Sequence, residues 1–256
     1  MTWSYSRLTA FEECPYRWFL TYLYRDPKTG QPLRRQSGFF AEFGSFMHMI
    51  LQLYLSGTLR LEELPVFYIR HFAGQVRARA PNDRIYRSYF EQGLCYLDSL
   101  SFPKREILGV ERQYSFTFAG KPWIGYIDLC SMDGEKLILT DHKSRLLKPR
   151  SGRAAPTKSD LELDAYLRQL YVYSAAVHEH TGRWPDELEF NCFRGGTLIR
   201  EPFLPERCAE VEEWARGRIT EITVNDTWKP HPDYWRCNYL CDVCADCEYR
   251  VERGSR

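Results

Sequence analysis

Three residues have types and spacing suited to phosphodiester chemistry. Asp128 lies inside the apolar run GYIDLC, and Asp141 and Lys143 close a second such run, ILTDHKS. A carboxylate within an apolar strand is costly unless it is paired or bound to a metal. Residues i and i+2 of a strand share a face, so Asp141 and Lys143 project together. If the two runs form a hairpin, Asp128 comes beside Asp141. Two carboxylates and an amine at one sheet edge suit Mg²⁺ or Mn²⁺, which prefer hard oxygen ligands. Such an ion polarises a phosphate and activates water, and the lysine can orient that water or stabilise developing negative charge. The triplet alone is also common as a plain surface ion pair.

A second set of residues points to a different metal. Cys237, Cys241, Cys244 and Cys247 fall within eleven residues, and Cys14 stands in the run FEECPYRWF near the other end of the chain. Two arrangements compete. Zinc can take four thiolates from the tail alone, crowded onto a short loop. A 4Fe–4S cluster can instead take Cys14 and three tail cysteines, tying the two ends together. Cys95, Cys130, Cys192 and Cys208 are expected in the core.

These groups need a framework. Ser6 to Tyr24 reads as a helical hairpin, with Ser6 as its cap and Pro15 opening its second half. Phe39–Leu55, Leu61–Ala80 and Asn82–Leu100 carry helical periodicity, with Pro81 between the last two. Glu106–Phe118, Trp123–Ser131 and Lys136–Asp141 read as three consecutive antiparallel strands, with turns at Ala119–Lys121 and Asp133–Gly134. The polar stretch Ser144–Ser159 is expected to be a loop. Leu161–His180 is a helix closed by Gly182 and Pro185. Strands follow at Glu187–Phe193 and Thr197–Phe203, then a helix from Pro205 to Thr220, then an irregular cysteine-rich tail. This order predicts an α/β fold with a mixed sheet flanked by helices, a helical insertion over about 56–105 and a C-terminal cysteine knuckle. The whole chain, 1–256, is expected to be one domain, with 228–256 and Cys14 forming the metal-cluster region.

Composition narrows the class without choosing the function. The 256 residues are 44% hydrophobic, 27% charged and 15% aromatic, with a net charge of +1. That mixture excludes extended disorder. The longest apolar run, around Phe46–Leu55, is broken by His48 and Gln52 and is too short to span a membrane. The N-terminus lacks the charged start and apolar middle of a signal peptide, so a cytoplasmic protein with reduced cysteines is expected. Arginine supplies 27 of the 35 basic residues, which fits phosphate binding and equally a GC-rich genome. Six bases and no acid lie between positions 143 and 158: Lys143, Arg145, Lys148, Arg150, Arg153 and Lys158. A flexible positive segment leading from the site would attract a nucleic-acid backbone. Arg77, Arg79, Arg84 and Arg87 form a second, weaker cluster on the insertion. A G-x-x-x-x-G-K-[ST] loop is absent, so ATP-driven unwinding is not expected of this chain.

The wider pattern resembles the RecB-like branch of the PD-(D/E)XK nuclease superfamily. GSFMHMIL, with Gly44 and His48, is similar to the family's helical histidine motif. GVE, ending at Glu111, resembles the acid of its first core strand. GYIDL resembles its metal-binding aspartate motif, DHK the (D/E)XK motif itself, and QLYVY, from Gln169 to Tyr173, its Q-x-x-x-Y helix. All five stand in the family's order.

The resemblance implies a restriction-endonuclease-like fold. It implies His48, Asp128, Asp141 and the carbonyl of His142 as ligands of Mg²⁺ or Mn²⁺, and Lys143 as the catalytic lysine. It implies that Glu111, Gln169 and Tyr173 support these groups. It also favours the iron–sulfur arrangement, because AddB-like nucleases and the CRISPR-associated single-strand exonucleases carry one cysteine before the nuclease motifs and three after. The tail departs from the usual C-x-x-C followed by a third cysteine, so the three tail ligands stay unassigned and zinc stays open. The function so implied is a metal-dependent exonuclease on single-stranded DNA in repair, recombination or CRISPR adaptation, alone or within a larger complex. The rival is a non-catalytic nucleic-acid or partner-binding module with a zinc knuckle.

Overall fold

A computed structural model describes residues 1–251. The last five residues of the expected 228–256 region lie outside the described residues. Helices α1 (Tyr5–Glu13) and α2 (Pro15–Tyr22) form the N-terminal hairpin. Ser4, not Ser6, caps α1, because its side chain is the one that accepts from the Arg7 N–H. The Cys14 sulfur caps α2, ahead of Pro15 at the first helical position, where a missing N–H costs nothing.

Helices α3 (Phe39–Leu55), α4 (Leu64–Gln75) and α5 (Asp83–Asp98) pack on one another. Their apolar faces form a core of their own, built on Phe43, Phe46, Met47, Ile50, Tyr68 and Phe72. The helix expected over Leu61–Ala80 is shorter than its pattern. A 3₁₀ turn precedes α4, and α4 ends at Gln75. The amides of Arg77 and Ala78 instead bond to the Glu42 carboxylate, which draws the chain off the helical path.

Strands β1 (Glu106–Phe118), β2 (Lys121–Asp133), β3 (Lys136–Lys143), β4 (Glu187–Cys192) and β5 (Thr197–Pro202) form one sheet in that order. All neighbours are antiparallel except β3 and β4, which are parallel. A parallel pair needs a crossover, and α6 (Lys158–Thr181) supplies it. Thr157 and Asp160 make a reciprocal capping box at its start. Gly182, at φ +73°, ends it in the left-handed region. Helix α7 (Pro205–Val224) packs on α6 and α1. The tail is less irregular than expected: α8 (Tyr234–Tyr239) and a 3₁₀ turn at Cys244–Asp246 organise it.

Strand β3 is central and almost wholly buried. Its apolar run Leu137–Leu139 fits burial on both faces, and Thr140, Asp141 and His142 continue the buried stretch with polar groups. Glu189 of β4, fully buried, is matched by the guanidinium of Arg105 at 2.8 and 3.0 Å, by Arg200 at 2.7 Å and by the Thr140 hydroxyl at 2.9 Å. A charge this deep persists only when its acceptor sites are filled. Cys130, Cys192 and Cys208 are buried as expected, but Cys95 is exposed, on the outer side of α5.

Candidate active site

The site forms where α3, β1, β2, β3 and α6 converge. Leu129 of β2 pairs with Thr140 of β3. One residue further, Asp128 turns its carboxylate onto the sheet, where Oδ2 accepts the His142 N–H at 2.6 Å. From α3, His48 Nδ1 bonds to Glu111 Oε1 at 3.0 Å and lies 3.6 Å from Asp128 Oδ2. Its Nε2 meets the His142 carbonyl at 3.1 Å. Ligand atoms of His48, Glu111 and Asp128 lie within 4.8 Å of one another. Glu111 achieves this with φ at +47°, a region a non-glycine residue occupies at a cost of about 1–3 kcal/mol, typical of functional sites.

Asp141 and Lys143 share a face as the two-residue period requires, with Asp141 Oδ2 2.8 Å from Lys143 Nζ. That oxygen is buried and makes no hydrogen bond of good geometry. Lys143 Nζ donates to Gln169 Oε1 at 2.7 Å, and Gln169 Nε2 donates to the Tyr173 hydroxyl at 3.3 Å. The four motif residues of β3 and α6 thus form one chain of contacts. Opposite them, the His142 ring is buried. Its Nδ1 accepts from Asn191 Nδ2 at 3.1 Å, and the same amide donates to the Tyr96 hydroxyl at 2.7 Å.

Burial and crowded charge set the protonation states. Burial pulls the His48 imidazolium down, but the Glu111 hydrogen bond and the Asp128, Glu111 and Asp141 charges outweigh it and carry its pKa up to about 9. Burial, then the neighbouring Asp141 charge, pushes Asp128 up to about 7. Burial first, then His48 and Lys143, holds His142 neutral. Groups that hold protons because acids crowd them are groups at which a divalent cation competes with protons. The donors are imidazole nitrogen, carboxylate oxygen and a backbone carbonyl, and they include Asp141 Oδ2, which is buried beside the Lys143 ammonium. This set fits Mg²⁺ or Mn²⁺.

The basic loop is less free than its composition implies. Leu147 is buried and anchors it. Arg145 pairs with Glu162, and Arg150 pairs with Asp164 and Glu201. Lys148, Arg153 and Lys158 are exposed. Asp160 holds the loop to α6 through the Ser151 N–H and hydroxyl, each at 2.7 Å.

Residues beyond the five motifs also line the site. A cleft of about 580 Å³ runs between α1 and α6, lined by Tyr5, Tyr166, Arg168 and Arg236 together with Lys143 and Gln169. Tyr166 carries a readable signal, since Tyr166, Gln169 and Tyr173 recur on one helical face. Arg236, on the tail, carries none. Lys143 Nζ also stands 5.5 Å from the Tyr166 ring centre.

The tail docks where Cys14 sits. Arg236 donates to the Glu13 carbonyl at 2.9 Å, Arg17 to Asp242 at 2.9 Å and Tyr16 to Glu248 at 2.8 Å. The Cys14 sulfur accepts the Arg17 and His231 N–H groups, each at 3.4 Å. Cys14, Cys237, Cys241, Cys244 and Cys247 are all half-buried. Burial raises the Cys247 thiol, and Cys237 and Cys14 are near enough to add to the rise. Among the described residues, no three cysteine sulfurs come within 4.8 Å of one another. Tetrahedral zinc at about 2.3 Å per bond holds thiolates closer than that.

A sequence model of the PD-(D/E)XK nuclease superfamily matches residues 2–251. The chain belongs to the PD-(D/E)XK nuclease superfamily. It is therefore a metal-dependent nuclease with a nucleic-acid substrate, and the mixed sheet flanked by helices is the fold of that superfamily. The chain is similar in structure to a crystal structure described as a "Putative exonuclease" from Eubacterium rectale. The TM-score is 0.49 at 12% identity, over 98% of this chain and 89% of that one. It is also similar to the crystal structure of SSO0001, with a TM-score of 0.32 at 17% identity, over 81% of this chain and 97% of that one. Neither likeness is close enough to carry an activity across. No curated protein matches the chain in sequence. Among the described residues, no helix is long and apolar enough to cross a membrane.

Proposed function

We propose that this PD-(D/E)XK nuclease is an exonuclease on single-stranded DNA, of the RecB-like and AddB-like kind, serving repair, recombination or CRISPR adaptation. The observation that carries the nuclease reading is the placement of Lys143 Nζ, 2.8 Å from Asp141 Oδ2 and 2.7 Å from Gln169 Oε1, beside the His48–Glu111–Asp128 group. The single-strand preference is supported by the cleft. The Tyr5 hydroxyl donates to the Ala165 carbonyl at 3.0 Å and bridges its two walls. A cleft lined by Tyr5, Tyr166 and Tyr173 offers rings on which the unstacked bases of a single strand can lie.

In the proposed reaction, a water oxygen bonds to phosphorus, the phosphorus–oxygen bond to the leaving sugar breaks, and the leaving oxygen takes up a proton. Bound Mg²⁺ or Mn²⁺ supplies charge neutralisation at the phosphate and acidifies water. His48, Asp128, Asp141 and the His142 carbonyl would hold the ion, and Glu111 orients His48 through Nδ1. Lys143 places its ammonium against the phosphate, where negative charge grows. Gln169 fixes that ammonium and is itself fixed by Tyr173. Lys148, Arg153 and Lys158 attract the backbone of the substrate from outside the cleft.

Cys14 and three of the tail cysteines hold a 4Fe–4S cluster that pins the termini and takes no part in hydrolysis. The docking of the tail on α1 and α2 supports this arrangement. The division into a single nuclease domain with a helical insertion belongs to the same proposal.

End-labelled single-stranded DNA tests the reading. Wild type with Mg²⁺ or Mn²⁺ is expected to give a ladder. Chelator or Lys143→Ala abolishes it, with the fold intact by circular dichroism. Full cleavage by Lys143→Ala overturns the mechanism. No cleavage under either ion, with the cysteine-bound metal present, moves the reading to a binding module.

A further inference from the structure

The cysteine tail presents two exposed aromatic rings on α8, the helix that also carries Arg236 of the cleft. On α8, Tyr234 is 36% exposed and Trp235 is 42% exposed. An indole this open forgoes much of the burial that normally holds it. Yet Trp235 is not loose. Its ring packs at 4.8 Å on Tyr239 and at 5.9 Å on Phe40 of α3, which itself meets Tyr89 of α5 at 5.2 Å. One part of the ring is therefore fixed against the helical core while the rest faces solvent.

The next residue, Arg236, lines the cleft that ends at Lys143. The Asp233 side chain caps the Arg236 N–H at 2.7 Å, and the Arg236 guanidinium bonds to the Glu13 carbonyl. A backbone carbonyl does not neutralise it, so its charge stays in the cleft. The acids nearby are spent elsewhere. Glu13 pairs with Arg17 at 2.6 Å, and Glu12 pairs with Arg218 at 3.0 Å and accepts from the Trp214 indole at 2.9 Å. Arg168 adds a further cation along the same cleft.

A fixed, half-open aromatic ring stands one residue along α8 from a cation that no carboxylate pairs with among the described residues, and a strand leaving the cleft past α8 can stack a base on the ring while the guanidinium takes a phosphate. We propose that Tyr234, Trp235 and Arg236 form a stacking platform for single-stranded nucleic acid, one step outside the hydrolytic centre. The tail then has two roles, holding its metal and presenting the incoming strand. The inference rests on the cleft being the substrate channel of the proposed nuclease, and it gives that channel its single-strand selectivity.

The test uses the full chain with its cysteine-bound metal, in a Lys143→Ala background so that no substrate is consumed. Fluorescence anisotropy measures binding of a labelled oligo-dT and of a labelled duplex at one fixed salt concentration. Trp235→Ala is expected to weaken oligo-dT binding roughly ten-fold and to leave duplex binding nearly unchanged. Trp235→Phe keeps most of the affinity. Trp235→Leu keeps an apolar contact to Phe40 but no π-face, and it behaves like the alanine variant, which separates stacking from a folding defect. Metal content and melting temperature accompany each variant.

Unchanged oligo-dT affinity in both Trp235→Ala and Trp235→Leu overturns the platform while leaving the nuclease reading standing. Equal losses on oligo-dT and duplex also overturn it. No binding of oligo-dT by the parent chain overturns the platform and the single-strand reading together.

Discussion

At the scale of single residues, burial and crowded carboxylates make two groups of the site hold their protons. His48 titrates near 9 and Asp128 near 7. Both therefore bind protons more tightly in the folded chain than in the unfolded one, where about 6.5 and 3.9 apply. Without divalent metal, stability falls as pH rises through these windows, because the unfolded chain releases its protons first. Metal reverses the balance, since it competes with those protons for the same atoms. Calorimetric titration of the metal-free protein with Mn²⁺ is expected to show proton release near neutral pH and weaker binding as pH falls from 8 to 6. Affinity independent of pH over that range would remove His48 and Asp128 from the ligand set. The strained Glu111 backbone belongs to the same picture, because a relaxed strand residue would aim its carboxylate elsewhere.

At the scale of elements, β2 and α6 are fitted to each other at one point. A Cβ on Gly125 would come 2.7 Å from Cε1 of Tyr173 and 3.2 Å from its Cδ1. The glycine that opens the GYIDL run thus leaves the space that the edge atoms of the Tyr173 ring occupy. Tyr173 holds Gln169, and Gln169 holds Lys143. Gly125→Ala is expected to cost about 1–3 kcal/mol of stability by overpacking. It should also lower the cleavage rate by displacing the Lys143 ammonium, with substrate affinity less affected. Melting temperature and single-turnover kinetics read the two effects separately. Wild-type values for both would mean that Tyr173 moves away without consequence. The loop after β3 shows the limit of reading charge from sequence. Arg145 and Arg150 count toward a positive run, but carboxylates of α6 and β5 engage both.

At the scale of the whole molecule, two apolar cores meet across the site. The sheet with α1, α2, α6 and α7 forms one, and α3, α4 and α5 form the other. Phe193, just after β4, is buried in the helical core, and Arg194 bonds to Gln92 and Tyr89 of α5. His48 comes from one core and Asp128, Asp141 and Lys143 from the other, so the packing of the two cores sets the geometry of the candidate site. The tail closes the molecule from a third side. Trp228 stacks on Trp18 at 5.1 Å and 8°, and on Phe19 at 5.7 Å. On the proposed cluster, Cys14→Ala is expected to abolish iron binding, and it lowers the melting temperature because α2 loses its cap. Iron analysis with a thermal melt checks this. Metal content equal to wild type would point to a zinc site made by the tail alone.

What the sequence determined by itself was local and ordered. Apolar runs of period two and 3.6 placed all five strands and most helices to within a few residues, because these patterns record which face is buried. The order of the His48, Glu111, Asp128, Asp141–Lys143 and Gln169–Tyr173 motifs placed the chain in its superfamily before any contact was known. The tertiary structure decided what depends on distance between remote segments. It stopped α4 at Gln75 through Glu42 and cancelled Arg145 and Arg150 with acids of α6 and β5. It also set Arg236 of the tail in the same cleft as Lys143. No periodicity encodes such pairings, since each arises only when two elements with separate local reasons to form are packed against each other.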